Sequence, residues 1–430
     1  MSNERDQSSS PITHHSSLIT RYSSLITSSL PPILWWSCFF YLGHLLFQSR
    51  TAPSELGAFA TYYWCTWAIL RKQLRPSWHI VEFPLALYAL ASVVSIFASG
   101  QHANTAQIII IHKVLLFPAA LILLREVPRM RQLALYAHAG VATWISIAGL
   151  WEYFVLGQRD LEHRITGQSS HVMTYSGLLL PLSLLFAILW LHEKKWWMFV
   201  PAFLASFALL LTFTRSAWLA WAFAIFIVLV LPRPRWIAYA TAVFVLFISF
   251  MPISMFGRLT SVFDPRVESN LDRIRMVQAG AEIIRDYPLF GVGPSNVKEV
   301  YPLYRRPDAP RFKVPHLHNN IVQIWAERGI VALIAYILFI YFFLRECARH
   351  WRGPQRRWAE AGIAIAAALT YAGMFEFNFG DTEVFYLTLD LFALVLANLE
   401  GRTPSSAQPR NSAAFAAPGG PGVRPSDFSE

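Results

Sequence analysis

The chain has 430 residues, of which 55% are apolar or aromatic and only 14% are charged. Soluble domains carry about 25% charged residues, so roughly half the ionic surface that a globule of this size needs is missing. Setting 36 Lys+Arg against 26 Asp+Glu leaves a net charge of +10. These values exclude a disordered chain and a basic soluble nucleic-acid binder, and no nucleic-acid partner is expected. Cys38, Cys65 and Cys347 are widely separated and form no CxxC pair, so neither a disulfide framework nor a zinc site can be read from them. An all-α polytopic membrane protein remains.

A bilayer crossing must satisfy its own backbone hydrogen bonds, and about 20 apolar helical residues suffice for it. Twelve stretches qualify: 33–49, 55–70, 79–99, 107–124, 133–156, 172–192, 196–213, 216–232, 236–256, 328–344, 358–376 and 383–399. The first two are short. Pro84, Pro118 and Pro181 fall inside spans, where neighbouring helices can satisfy the freed carbonyls. The chain therefore divides into a polar N-terminal segment (1–32), nine spans (33–256), one long loop (257–327), three spans (328–399) and a Pro/Ala/Gly/Ser-rich tail (400–430) that reads as disordered. The first 30 residues hold no apolar core of a cleavable signal.

Orientation follows from the basic short loops. Alternate loops hold Arg71, Lys72 and Arg75, then Arg125, Arg129 and Arg131, then Lys194 and Lys195, then Arg233 and Arg235, then Arg345 to Arg357. The intervening loops offer only Arg50, Arg159, Arg164 and Arg215. Both termini are thus expected in the cytoplasm and the long loop outside it.

That loop carries a surplus of basic residues and has predicted local order. Ser269 or Asn270 is placed to cap a helix reaching Tyr287, with Ile274, Val277, Ala281 and Ile284 as its apolar stripe. Gly291-Val292-Gly293-Pro294 reads as a turn; no strand precedes it, so it is a poor phosphate loop. From Pro315 a helix is expected to resume and run to about Gly329. The basic surplus is either a solvated surface or a pocket for an anion, which arginine grips with a planar, permanently charged fork.

Several residues are candidates for chemistry. Arg215, at the outer end of the joined seventh and eighth spans, is either a snorkelling interfacial side chain or an anion ligand. Arg273 and Arg275 open the loop helix, where free N–H groups also attract anions. His316 and His318 are the strongest catalytic candidates, because imidazole titrates near pH 6.5 and can accept a hydroxyl proton. Asn319, Asn320 and Gln323 follow them. Histidines at i and i+2 do not share a helix face, so no joint metal site is expected. His112, Lys113, Glu82, Glu152 and Asp390 either line an intramembrane groove or relay, or form structural pairs. Glu376, Asp381 and Glu383 cluster outside and can steer the arginines or a histidine.

The order and placement of three motifs resemble the O-antigen ligase family of bacterial membrane glycosyltransferases. Thr214-Arg215-Ser216 is similar to its (S/T)R-S segment. Arg273 through Val277, with Asp286-Tyr287-Pro288 and Gly291-Val292-Gly293 after it, is similar to its RxxxW…hPlxGxG segment, with Val277 where the family usually has Trp. His316-Leu317-His318-Asn319-Asn320, then Glu327-Arg328-Gly329, is similar to its HxHN…xxG stretch. The resemblance spans roughly residues 35–400. It implies a multi-pass inner-membrane protein whose loop is periplasmic. The implied reaction moves O-antigen glycan from undecaprenyl diphosphate to lipid A–core oligosaccharide by metal-independent inverting transfer, with no cofactor and with membrane lipids as surroundings. It also implies His318, Arg215 and Arg273 as catalytic, Arg215, Arg273 and Arg275 as diphosphate-binding, and His316, Asn319 and Asn320 as supporting. Lipid-linked-glycan polymerases and protein O-oligosaccharyltransferases share the pattern and remain alternatives, as does an anion transporter built on the intramembrane charges.

Overall fold

The computed structural model describes residues 30–100, 112–160, 162–230, 232, 257, 264 and 267–401. Among them the chain is all-helical, with no strand and thirteen α-helices. In chain order these are α1 (Pro32–Leu46), α2 (Thr51–Leu70), α3 (Glu82–Ala98), α4 (Leu116–Glu126), α5 (Pro128–Phe154), α6 (Val172–Glu193) and α7 (Trp196–Leu211). There follow α8 (Arg215–Ile225), α9 (Glu268–Asp286), α10 (Val297–Tyr304), α11 (Asn320–Arg349), α12 (Arg356–Ala372) and α13 (Thr382–Leu399). By length and composition α5, α6, α11 and α13 can cross a membrane. Shorter apolar helices are α1, α3, α7 and α8 with its π-turn to Val230. The predicted span 236–256 lies outside the described residues. Pro84, Pro118 and Pro181 each sit inside a continuous helix.

α6 and α13 are apolar around their whole circumference, the mark of a helix enclosed by others, and both are buried over most of their length. α13 packs against α4, α12, α6 and α5, and α6 against α7, α12 and α8. Lipid tails are as apolar as leucine, so van der Waals fit holds such helices together. Phe343 and Phe392 illustrate the fit, stacking with ring centroids 3.6 Å apart.

The intramembrane charges are settled pairwise. Asp390 accepts from Gln48 and lies 2.9 Å from His44 Nε2, joining α1 to α13. Lys113 Nζ pairs with Glu55 at 2.8 Å, and Glu152 accepts from the Thr166 and Gly167 amides at 2.6 and 2.9 Å. Glu82 accepts from the His79 amide at 3.3 Å, and the His112 ring lies against Phe59 and Tyr62. These contacts favour the paired-structural reading over a shared groove.

The long loop builds a small core of its own from α9, α10 and the start of α11, with Met276, Ile283, Val297, Tyr301 and Leu317 at its centre. Its phase corrects the expected stripe. Asp272, Met276, Ala279 and Ile283 are the buried positions, whereas Ile274 and Val277 are exposed. Ser269 and Asn270 do not cap α9. Val267 holds the N-cap position, and the two polar side chains accept hydrogen bonds from Arg215 instead.

α11 breaks at Gly329, whose φ of 78° and ψ of 178° leave the helical region. The break frees two carbonyls. Ala326 O and Glu327 O accept from the Val292 and Gly293 amides at 2.9 and 2.8 Å, clipping the 291–293 segment onto the helix. A Cβ at Gly329 would stand 1.9 Å from Leu289 O, so only glycine permits this approach.

Candidate functional site

The segment before α11 is not helical, contrary to the sequence expectation. The helix starts at Asn320, and Asn319 caps it by accepting from the Val322 amide at 3.0 Å. In this segment Leu317 turns to one side and the two histidines to the other. Leu317 is therefore sealed in the loop core against Gly280, while His316 and His318 both border a cavity. Their rings lie 4.3 Å apart. His318 has a positive φ of 50°, an uncommon conformation for a residue with a side chain.

Glu376, on the turn after α12, reaches this pair. His318 Nδ1 lies 2.8 Å from one carboxylate oxygen and His316 Nε2 lies 3.5 Å from the other. Neighbouring contacts hold the turn in place. The Asn320 amide donates to Gly373 O at 2.7 Å, Asn320 Nδ2 to Asn378 Oδ1 at 2.6 Å, and Asn319 Nδ2 to Met374 O at 2.9 Å. Arg273 Nε adds a bond to Phe375 O at 3.1 Å. Asp381 and Glu383 are engaged elsewhere, by Thr174 and Thr51.

The cavity has a volume of about 360 Å³. Its lining includes Arg164, Arg215, Arg273 and Arg311 together with His171, His316 and His318, and no described lining residue is acidic. Phe213, with a φ of 54°, turns the chain sharply between α7 and α8. That turn puts buried Arg215 in the first turn of α8, where orphan amides add to the attraction for anions. Arg215 Nη2 is steadied by Ser269 Oγ at 3.1 Å and Asn270 Oδ1 at 2.8 Å.

Arg275 does not join the group. Two residues along a helix from Arg273, it leaves from nearly the opposite side, where it bonds Asp308 and, at 2.7 Å, Gln278. Three lining residues escaped the sequence reading as site members: Arg164, His171 and Arg311. The basic surplus of the loop included Arg311, and Arg164 stood on the same expected face as Arg215, but nothing local marked either. His171 is simply the N-cap of α6.

Burial lowers His316 to about 4 against the opposing pull of Glu376, and the positive charges of His318, His171 and Arg311 add to the lowering. His316 is thus a neutral imidazole at neutral pH. Burial alone would raise Glu376, but the His318 hydrogen bond and the charges of His318, His316 and Arg273 hold its carboxyl below the usual value. Burial lowers His171 as well, and it raises Asp272 against the pull of Arg311, whose Nε lies 3.0 Å away.

His316, His318 and Glu376 offer ligand atoms within 4.8 Å of one another, a donor set that zinc accepts. The expectation that the two histidines cannot converge thus fails on geometry. The four guanidiniums on the same cavity work against a dication and for an anion. With Nδ1–H donated to Glu376, His318 keeps its Nε2 lone pair for a proton.

Comparison with known proteins bears on residues 200–337, which match the family model described as O-antigen ligase. The matched stretch contains Arg215, Arg273, Arg311, His316 and His318, whereas Arg164, His171 and Glu376 lie outside it. No curated protein matches the chain. Members of this family handle lipid-linked glycans through glycosyltransferase-like activity, in keeping with the apolar helices and the arginine-lined cavity. The match covers 138 of the 430 residues and supports membership of the O-antigen ligase/polymerase family.

Proposed function

We propose that the protein is an O-antigen ligase. It takes an O-antigen glycan from undecaprenyl diphosphate and joins it to lipid A–core oligosaccharide on the periplasmic face of the bacterial inner membrane. In this reading the chain crosses twelve times, both termini are cytoplasmic, and residues 257–327 form the periplasmic catalytic loop.

The carrying observation is the convergence of Arg215, Arg273 and His318 on one cavity. A glycosyl diphosphate already has a good leaving group, so the protein must hold the diphosphate, balance its growing charge and deprotonate the acceptor. Arg215 and Arg273, helped by Arg164 and Arg311, do the first two by preorganised electrostatics. His318 Nε2 takes the acceptor hydroxyl proton as its oxygen attacks the anomeric carbon. The carbon–oxygen bond to the diphosphate breaks, its electron pair leaves on the diphosphate, and one displacement inverts the centre. Glu376 orients His318 and stabilises the imidazolium that results. Arg275, turned toward Asp308, has no part in it.

Reconstitution with purified lipid-linked glycan tests this. Label is expected on lipid A–core, with transfer slowed to a small residual rate by His318→Ala. Unchanged transfer by that variant removes the base. Label on a second lipid-linked glycan or on a polypeptide makes the protein a polymerase or a protein glycosyltransferase instead.

A further inference from the structure

A second cavity of about 340 Å³ shares two lining residues, Pro315 and His316, with the first. The His316 side of the first chamber is therefore also a wall of the second. The two differ in charge. In the first, four arginines line the wall with no acidic residue among the described lining, Arg311 pairing with Asp272 behind it at 3.0 Å. In the second, each cation has a carboxylate partner close by: Lys113 with Glu55 at 2.8 Å, Arg328 with Glu327 at 2.6 Å, and Lys298 with Glu299 at 4.0 Å. Aromatic rings make up much of the remaining wall, from Tyr88, Phe377, Phe379 and Phe385. Ser92, Gln323 and Thr382 add uncharged polar groups between them. Apolar ring faces with a few hydroxyl and amide groups among them suit a neutral polyhydroxyl ligand, whereas a wall of four guanidiniums suits phosphate.

Geometry then assigns the partner. In a single displacement the nucleophile must approach opposite the leaving group. With the diphosphate held among the arginines, the incoming hydroxyl has to arrive from the other side of the sugar, and the second chamber adjoins the first at Pro315 and His316. Resting on the glycosyl-transfer reading of the first cavity, we infer that the second cavity is the acceptor subsite, holding the neutral sugar whose hydroxyl His318 deprotonates. His316 separates donor phosphates from acceptor sugar, and the Phe377 ring, 6.0 Å from the His316 ring, forms the adjoining acceptor wall.

Steady-state kinetics of the full chain in nanodiscs test the assignment. The donor is fluorescent undecaprenyl-diphosphate-linked glycan, and the acceptor is lipid A–core or a second lipid-linked glycan, whichever the wild type uses. Ala89→Trp fills the second cavity and Phe377→Leu removes one ring face. Each is expected to raise the acceptor KM by about ten-fold or more, the loss of about 1.4 kcal/mol. Donor KM and the affinity for undecaprenyl diphosphate stay as in the wild type. A raised donor KM, or an unmoved acceptor KM, overturns the acceptor assignment alone. Wild-type protein that transfers glycan to neither acceptor overturns the glycosyl-transfer reading and this assignment with it. Crosslinking of wild-type protein with a diazirine-bearing acceptor does not depend on any variant folding. Adducts in 88–92 or 377–385 support the subsite, and adducts confined to 213–216 and 269–273 refute it.

Discussion

Glu376→Gln is the most informative single change. The side chain keeps its size and can still accept from His318 Nδ1, now at 2.8 Å from a carboxylate oxygen, but it loses the negative charge that stabilises an imidazolium. A hydrogen bond to a charged group contributes about 1.5–3 kcal/mol. If that contribution is made only as His318 takes up its proton, kcat falls about 10- to 150-fold. The donor KM has no reason to rise. Glu376 is also the strongest opposing charge on Arg273, so removing it leaves that guanidinium more available to the diphosphate. Single-turnover transfer from fluorescent lipid-linked glycan, with binding of undecaprenyl diphosphate measured in parallel, separates the two effects. Residues that act as one unit are not additive, so Glu376→Gln in a His318→Ala background should slow transfer no further. A kcat within about two-fold of wild type, or a full multiplicative loss in the double variant, refutes the pairing as a catalytic unit.

Three further outcomes are expected. Because burial holds His316 down to about 4 while the unfolded imidazole titrates near 6.5, the unfolded state binds a proton that the native state refuses between those values. Stability is thus complete above about pH 6.5 and falls as pH drops toward 4, by up to about 3 kcal/mol. Tm should therefore fall from pH 7.5 to pH 5 and His316→Gln should flatten the slope, the depressed Glu376 carboxyl adding to the loss only below its ordinary value of 4.5; a pH-independent Tm contradicts this. Gly329→Ala forces a left-handed φ onto a side chain that meets Leu289 O, costing at least about 1–3 kcal/mol, whereas Gly353→Ala, with its nearest neighbour at 3.5 Å, should leave thermal unfolding unchanged. EDTA should not affect transfer, but added Zn²⁺ should inhibit it by occupying His318 and Glu376; restoration of a chelated enzyme by zinc would reverse that reading.

How much of this was legible in the sequence depends on the range of the interaction. Helices showed through because hydrophobicity is read over a window, and α5, α6 and α13 match predicted stretches closely, while α11 outruns the expected 328–344 at both ends. Motif order led to Arg215, Arg273 and His318, all of which line one cavity. The misses share a cause. Whether residues 315–319 are helical decides if two histidines converge, and that is settled by Leu317 packing against Gly280 on a distant helix. Arg275 looked equivalent to Arg273 because composition ignores the angular step between them. The apolar stripe of α9 was placed on the wrong face because Asp272, a carboxylate, takes a buried position beside Arg311, with which it forms an ion pair at 3.0 Å. His171 carried no local signal at all.

The bond between His44 and Asp390 ties together residues 346 apart in the chain. During synthesis, α1 leaves the ribosome long before its partner exists, carrying a polar ring into lipid with its permanent acceptor still untranslated. The N-terminal hairpin must therefore wait in an incomplete state until α13 arrives and closes the bundle. A chain cut short before residue 390 would lack more than its last helix, for His44 on the first would keep its Ser54 partner, 2.8 Å from Nδ1, but leave Nε2 without its carboxylate.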